Sequence, residues 1–82
     1  MSDTYKIVYR AVIKQCIDDL LHQDEVIRKD AIKYLHGDMF ESHRKIAKYP
    51  EGLRDTLAET LLLSHSEQNY IIDLVNQELA DA

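Results

Sequence analysis

The sequence predicts an all-α domain, a compact orthogonal bundle of four or five short helices. Apolar residues recur at spacings of three and four in successive segments, the pattern of helices with one buried face. Glycine and proline are confined to Gly37, Gly52 and Pro50, too few turn formers for an all-β fold. Between the periodic segments stand short polar stops that carry helix-capping residues. The chain has 82 residues, the size of a single domain, with 45% apolar and 30% charged residues, a composition that suits a folded chain. A chain of this length buries a modest core, and its stability is expected at about 5–10 kcal/mol.

The first helix is expected from about Ser2 or Thr4, either of which can accept a hydrogen bond from an unpaired N–H, to about Leu21. Tyr5, Val8, Tyr9, Val12, Ile13, Cys16, Ile17 and Leu20 make its apolar stripe, with Lys6, Arg10, Lys14 and Asp18 opposite. Asp24 caps a second helix, about Glu25 to His36, whose inner face is Val26, Ile27, Ala31, Tyr34 and Leu35. Gly37 can take positive φ and stop it. Asp38, with Glu41 three residues on, reads as a capping box for a third helix. That helix carries Met39, Phe40, His43, Ile46 and Ala47 on one side and Glu41, Arg44, Lys45 and Lys48 away from it.

Pro50 suits the first turn of a fourth helix, placed from about Pro50 to Leu63, and Gly52 weakens that turn by roughly 1 kcal/mol. Ser64-His65-Ser66-Glu67 is a capping-box pattern that opens a fifth helix. Its apolar residues, Tyr70, Ile71, Ile72, Leu74, Val75 and Leu79, spread over an arc too wide for one neighbour. Ile71, Ile72, Val75 and Leu79 are therefore a candidate surface for a homodimer or another partner.

Formal net charge is −5, and no Lys or Arg follows Arg54, while Asp55, Glu59, Glu67, Asp73, Glu78 and Asp81 do. Nucleic-acid-binding domains carry basic surfaces, so net acidity disfavours that class unless a local patch supplies it. The reading prefers a solvated acidic face, with docking on a basic partner as the sharper alternative. Cys16 is the only cysteine, which excludes an internal disulfide and suits a small packed hydrophobe. The opening residues lack a signal-peptide layout, and the longest apolar run is Leu61-Leu62-Leu63, far short of a membrane span. A cytoplasmic protein with no membrane association is expected.

Little in the chain points to catalysis. His22, His36, His43 and His65 never share the i, i+4 spacing that aims two imidazoles at one ion, so no metal or other cofactor is expected. His43, on the apolar side of its helix, reads as a hydrogen-bonded core histidine. There is no phosphate loop or nucleophile elbow, and the adjacent Asp18 and Asp19 point to different sides of a helix. No enzyme activity is expected. Arg28, Lys29 and Lys33 on the second helix and Arg44, Lys45 and Lys48 on the third would form a phosphate-binding patch if they shared one surface. An ordinary charged surface diluted by Asp30, Glu41 and Glu51 is the preferred reading. Tyr5, Tyr9, Tyr34 and Tyr70 fall on apolar stripes and read as core, whereas Tyr49 is the candidate for an exposed contact.

The pattern Asp30-Ala31, Tyr34-Leu35, Gly37, Phe40, Ile46-Ala47 and Leu53-Arg54 resembles a group of small phage and prophage proteins, most without an assigned function. The resemblance covers roughly residues 12–57 and implies a small helical protein of phage or mobile-element origin. The same stretch is similar to the helix-turn-helix of DNA regulators. That likeness implies a first helix over Phe40 to Lys48 and a recognition helix over Gly52 to Leu63. It departs from that group at Lys48, where a turn glycine is usual, and at Arg44, where a small residue or Cys is common. Arg54 and Thr56 would read DNA in company with Asp55 and Glu59, two carboxylates ill placed beside phosphates.

The expectation drawn from these residues is a bundle with a helix-turn-helix-like centre. Its leading function is a non-enzymatic regulatory or inhibitory module that binds another protein, a host protein included. The alternative is a DNA-binding regulator using Arg44, Lys45, Lys48 and Arg54.

Overall fold

A computed structural model describes residues 2–81. Five helices follow one another: α1 (Ser2–Asp19), α2 (Glu25–His36), α3 (Asp38–Ala47), α4 (Leu53–Thr60) and α5 (His65–Asp81). The described residues contain no strand. The chain is an all-α bundle, in which α1 packs against α2 and α3, and α4 against α5.

Local chemistry sets several boundaries. Asp24 Oδ1 accepts from the N–H groups of Val26 at 2.9 Å and Ile27 at 3.4 Å, which opens α2 at the expected residue. Ser64 Oγ accepts from Glu67 N at 3.4 Å, and Glu67 Oε1 accepts from Ser64 N at 3.3 Å. That reciprocal pair is the expected capping box at the start of α5. α1 begins at Ser2, one of the two expected starts, and Thr4 lies within the helix rather than at its cap.

Two joints differ from expectation. Gly37 has φ −84° and ψ 170°, an extended conformation rather than a left-handed one. Its glycine character serves a close approach instead, because a Cβ there would meet the Lys33 carbonyl at 3.3 Å. Gly37 is also the N-cap of α3, without a side-chain bond, so Asp38 is the first helical residue and not the cap. A carboxylate in that first turn still faces the positive end of the helix.

Left-handed backbone occurs instead at Lys48 (φ 59°) and Gly52 (φ 85°), the two ends of the α3–α4 connection. Lys48 N donates to Lys45 O at 3.1 Å and Tyr49 N to Arg44 O at 3.2 Å, a Schellman motif with lysine in the place that glycine usually takes. Because Gly52 is left-handed, Pro50 and Glu51 stay in the turn, and α4 starts at Leu53 rather than Pro50. It ends at Thr60, beyond which Leu62 N and Leu63 N reach back three residues in tighter turns.

The core is built on Ile13, Ile17, Leu20, Leu35, Phe40 and Leu57. α5 contributes Ile72, Val75 and Leu79, all buried, with Ile71 half-buried against them. The expected free dimer face on α5 is thus an internal surface, and only Tyr70 and Leu74 of that arc are exposed. The reverse holds for α1. Its apolar stripe splits into a buried edge (Ile13, Cys16, Ile17, Leu20) and an outer edge, with Tyr5 66%, Val8 50% and Val12 38% exposed. Tyr5 and Tyr70 are therefore not core residues.

Candidate functional site at the α3–α4 corner and the outer face of α1

The corner between α3 and α4 is held by arginines that turn inward. Arg44 is 5% exposed, not a surface cation as its helical position suggested. Its NH1 donates to the Tyr49 carbonyl at 2.9 Å, while Nε and NH2 meet Glu41 Oε2 at 3.2 and 3.1 Å. Tyr49 is 4% exposed, so it is a packed residue and not the free contact expected of it. Arg10 of α1 covers the other side: its Nε donates to the Ala47 carbonyl at 2.8 Å, and its guanidinium lies 4.8 Å from the Tyr49 ring centroid. Burial raises the pKa of Tyr49, and the nearby Arg10 partly offsets this. Arg54 of α4 comes within 3.9 Å of the free oxygen of Glu41, which links the two helices across the turn.

The remaining candidate cations do not gather into one patch. Arg28 NH1 donates to His22 O at 2.8 Å and closes the α1–α2 loop. It lines a groove with Leu21, His22, Leu61 and His65. Lys29 pairs with Glu25 at 2.9 Å on the exposed side of α2. Lys33 lines a second groove between α2 and α3 with Asp30 and Asp38. Lys45 and Lys48 flank a third, beside Tyr5, Tyr9 and Ile46. On α4 the exposed side chains are Asp55, Thr56 and Glu59, while Arg54 is half-buried.

A small polar centre joins the first three helices. Tyr34 OH and His43 Nδ1 lie 2.6 Å apart, and the Tyr9 ring stacks on His43 at 4.5 Å. Phe40 meets Tyr34 edge-on at 5.7 Å. His43 is half-buried and hydrogen-bonded, as expected. Burial first, then nearby Cys16 and Tyr9, push the Tyr34 pKa up to about 12. Cys16 is buried, its Sγ 3.5 Å from the Ala31 carbonyl, and burial with nearby Asp19 pushes its pKa up to about 12. That thiol is a packed group, not a nucleophile. Among the described residues no cluster of three or more His, Cys, Asp or Glu is placed to hold a metal ion.

The outer edge of α1 runs between two open grooves. One, about 460 Å³, lies toward its N-terminal end between α1 and α3 and is lined by Tyr5, Tyr9, Lys45, Ile46 and Lys48. The other, about 360 Å³, lies toward its C-terminal end between α1 and α2 and includes Val12, Asp19, Ile27 and Asp30. The α1 periodicity alone does not show this face, because Tyr5, Val8 and Val12 share one apolar stripe with Ile13, Cys16 and Ile17. A signal was present: on a helical wheel Tyr5, Val8 and Val12 fall to one side of Ile13, Ile17 and Leu20, so the stripe is wider than one seam. Arg10 carries no comparable signal, since its role depends on where the α3–α4 turn lies.

No protein-family model, curated protein or solved structure matches the chain. Among the described residues no helix is long and apolar enough to cross a membrane.

Proposed function

We propose that this chain is a non-enzymatic regulatory or inhibitory protein of phage or mobile-element origin, acting in the cytoplasm by binding another protein through the outer face of α1. The observation that carries the reading is the exposure of Tyr5, Val8 and Val12 along one edge of a helix that buries Ile13, Cys16 and Ile17 on its other edge. Contiguous apolar surface of this kind, rimmed by charge, is the physical mark of a protein-binding site. Val8→Glu and Val12→Glu change only exposed positions, so both variants should keep the helical signal of the parent. Capture from a host lysate should retrieve one protein in fixed ratio with the parent and lose it with either variant. Identical capture by parent and variants would overturn the reading.

A DNA-binding regulator is the second reading. Its support is the left-handed Lys48 at the position of the turn glycine in helix-turn-helix proteins. Against it stand the inward Arg44, the dispersed lysines and the acidic outer side of α4. A helix with Asp55 and Glu59 outward repels the phosphates it would approach. Duplex DNA should show no mobility shift with this chain even at ~50 mM salt, where phosphate contacts are strong. A shift that fades steeply as salt rises would restore the second reading.

A further inference from the structure

We propose that the outer face of α1 takes a second copy of this chain, docked with the two α1 helices antiparallel about a twofold axis near Val12. The proposal rests on the reading of that face as a protein-binding surface and names what occupies it in the purified chain, before a different protein displaces the second copy.

Charge placement carries the argument. The groove at the N-terminal end of α1 holds Lys45 and Lys48, and the groove at the C-terminal end holds Asp19 and Asp30. Both open on the same side of the helix: Tyr5, Val12 and Cys16 fall within ~40° of one another at 100° per residue. Between the two ends runs the exposed apolar edge of Tyr5, Val8 and Val12. The face thus reads basic, apolar, acidic from one end to the other, over ~21 Å from Tyr5 to Asp19.

Such a face is complementary to itself when one copy is reversed. An antiparallel twofold brings the lysine end of each copy onto the aspartate end of the other, and Val12 onto its own symmetry mate. A twofold contact makes each such pairing twice, which is how isologous dimers gain strength from a small patch. Parallel docking would set lysines on lysines and aspartates on aspartates, and is excluded by repulsion. The charges are available. Among the described residues no ion pair engages Lys45, Lys48 or Asp30, and the Asp19 carboxylate accepts from Gln15 Nε2 at 3.0 Å.

Sedimentation equilibrium tests the proposal. The parent chain should sediment as a dimer. Val8→Glu should be monomeric with unchanged circular dichroism. Lys45→Glu with Lys48→Glu, and separately Asp19→Lys with Asp30→Lys, should each weaken self-association by about tenfold or more, since like charges then meet at both ends. An equimolar mixture of the two charge-reversed chains should recover a heterodimer, since an acidic face then meets a basic one at both ends, whereas the loss of self-association in each reversal alone is what marks the antiparallel arrangement of the parent. A monomeric parent at millimolar concentration, or a dimer indifferent to both reversals, overturns the proposal. If the parent is monomeric while Val8→Glu still abolishes capture of a host protein, the second copy is excluded and the binding-face reading stands. If neither mass nor capture responds to Val8→Glu, both fall.

Discussion

Arg44 NH1 donates to the main-chain carbonyl of Tyr49 at 2.9 Å, so a guanidinium at the end of α3 closes the turn that follows it. Its other nitrogens meet Glu41, which leaves little of the cation facing water. Arg44→Met should keep most of the packing but orphan the Tyr49 carbonyl and part of Glu41, at a cost of about 1–3 kcal/mol. Arg44→Lys should recover little of it, because a single ammonium cannot span both acceptors. Urea unfolding followed by circular dichroism measures both.

Lys48 and Gly52 should respond oppositely to exchange. Lys48→Gly relieves a left-handed L-residue and should raise stability by about 0.5–1 kcal/mol, the strain relieved less the added freedom of the unfolded chain. Gly52→Ala meets no atom within 4 Å, so its cost is backbone strain alone, about 1–2 kcal/mol. Thermal melts of the two single variants decide the signs.

Alkaline pH should destabilise the chain before it reaches the range of arginine. The pKa values of Cys16 and Tyr34 rise from 9.0 and 10.0 in their ordinary states to about 12 in the fold. Between those limits the unfolded chain has lost protons that the folded chain retains, so stability falls as pH rises. It should be level from pH 7 to about 9 and decline from there to about 12. Cys16→Ala should delay the onset of the decline toward pH 10 while lowering stability at neutral pH through the lost packing. At pH 8 the native thiol should react with a disulfide reagent only on unfolding.

Asn76 Oδ1 is buried without a hydrogen-bond partner among the described residues. Asn76→Leu removes that orphan and adds apolar surface on the packed side of α5, and should stabilise the fold by about 1 kcal/mol, a rise in Tm of about 4–8 °C for a domain of this size. A lower Tm would mean that the site cannot hold the branched side chain.

Features that depend on neighbouring residues were legible in the sequence. The start of α2 at Asp24 and the capping box at Ser64 follow from bonds closed within three or four residues, and so do the helical periodicities. Features that depend on which helix covers which side were not. Arg44 and Lys45 are adjacent and equally charged, yet one is buried and the other exposed, because only Arg44 points at the Tyr49 turn. The Tyr5–Val8–Val12 edge and the α5 arc exchanged roles for the same reason. α1 has neighbours on one side only, while Ile72, Val75 and Leu79 reach the common core. At the candidate site the sequence marks Lys45 and Lys48 as exposed cations, but their place in one groove with Tyr5 depends on the packing of α1 and α3.

The bond from Arg10 to the Ala47 carbonyl spans 37 positions of the chain. A corner braced from so far away is not a portable cassette. Residues 38–60 cut out and grafted onto a foreign scaffold would keep the propensity to form two helices and lose the angle between them.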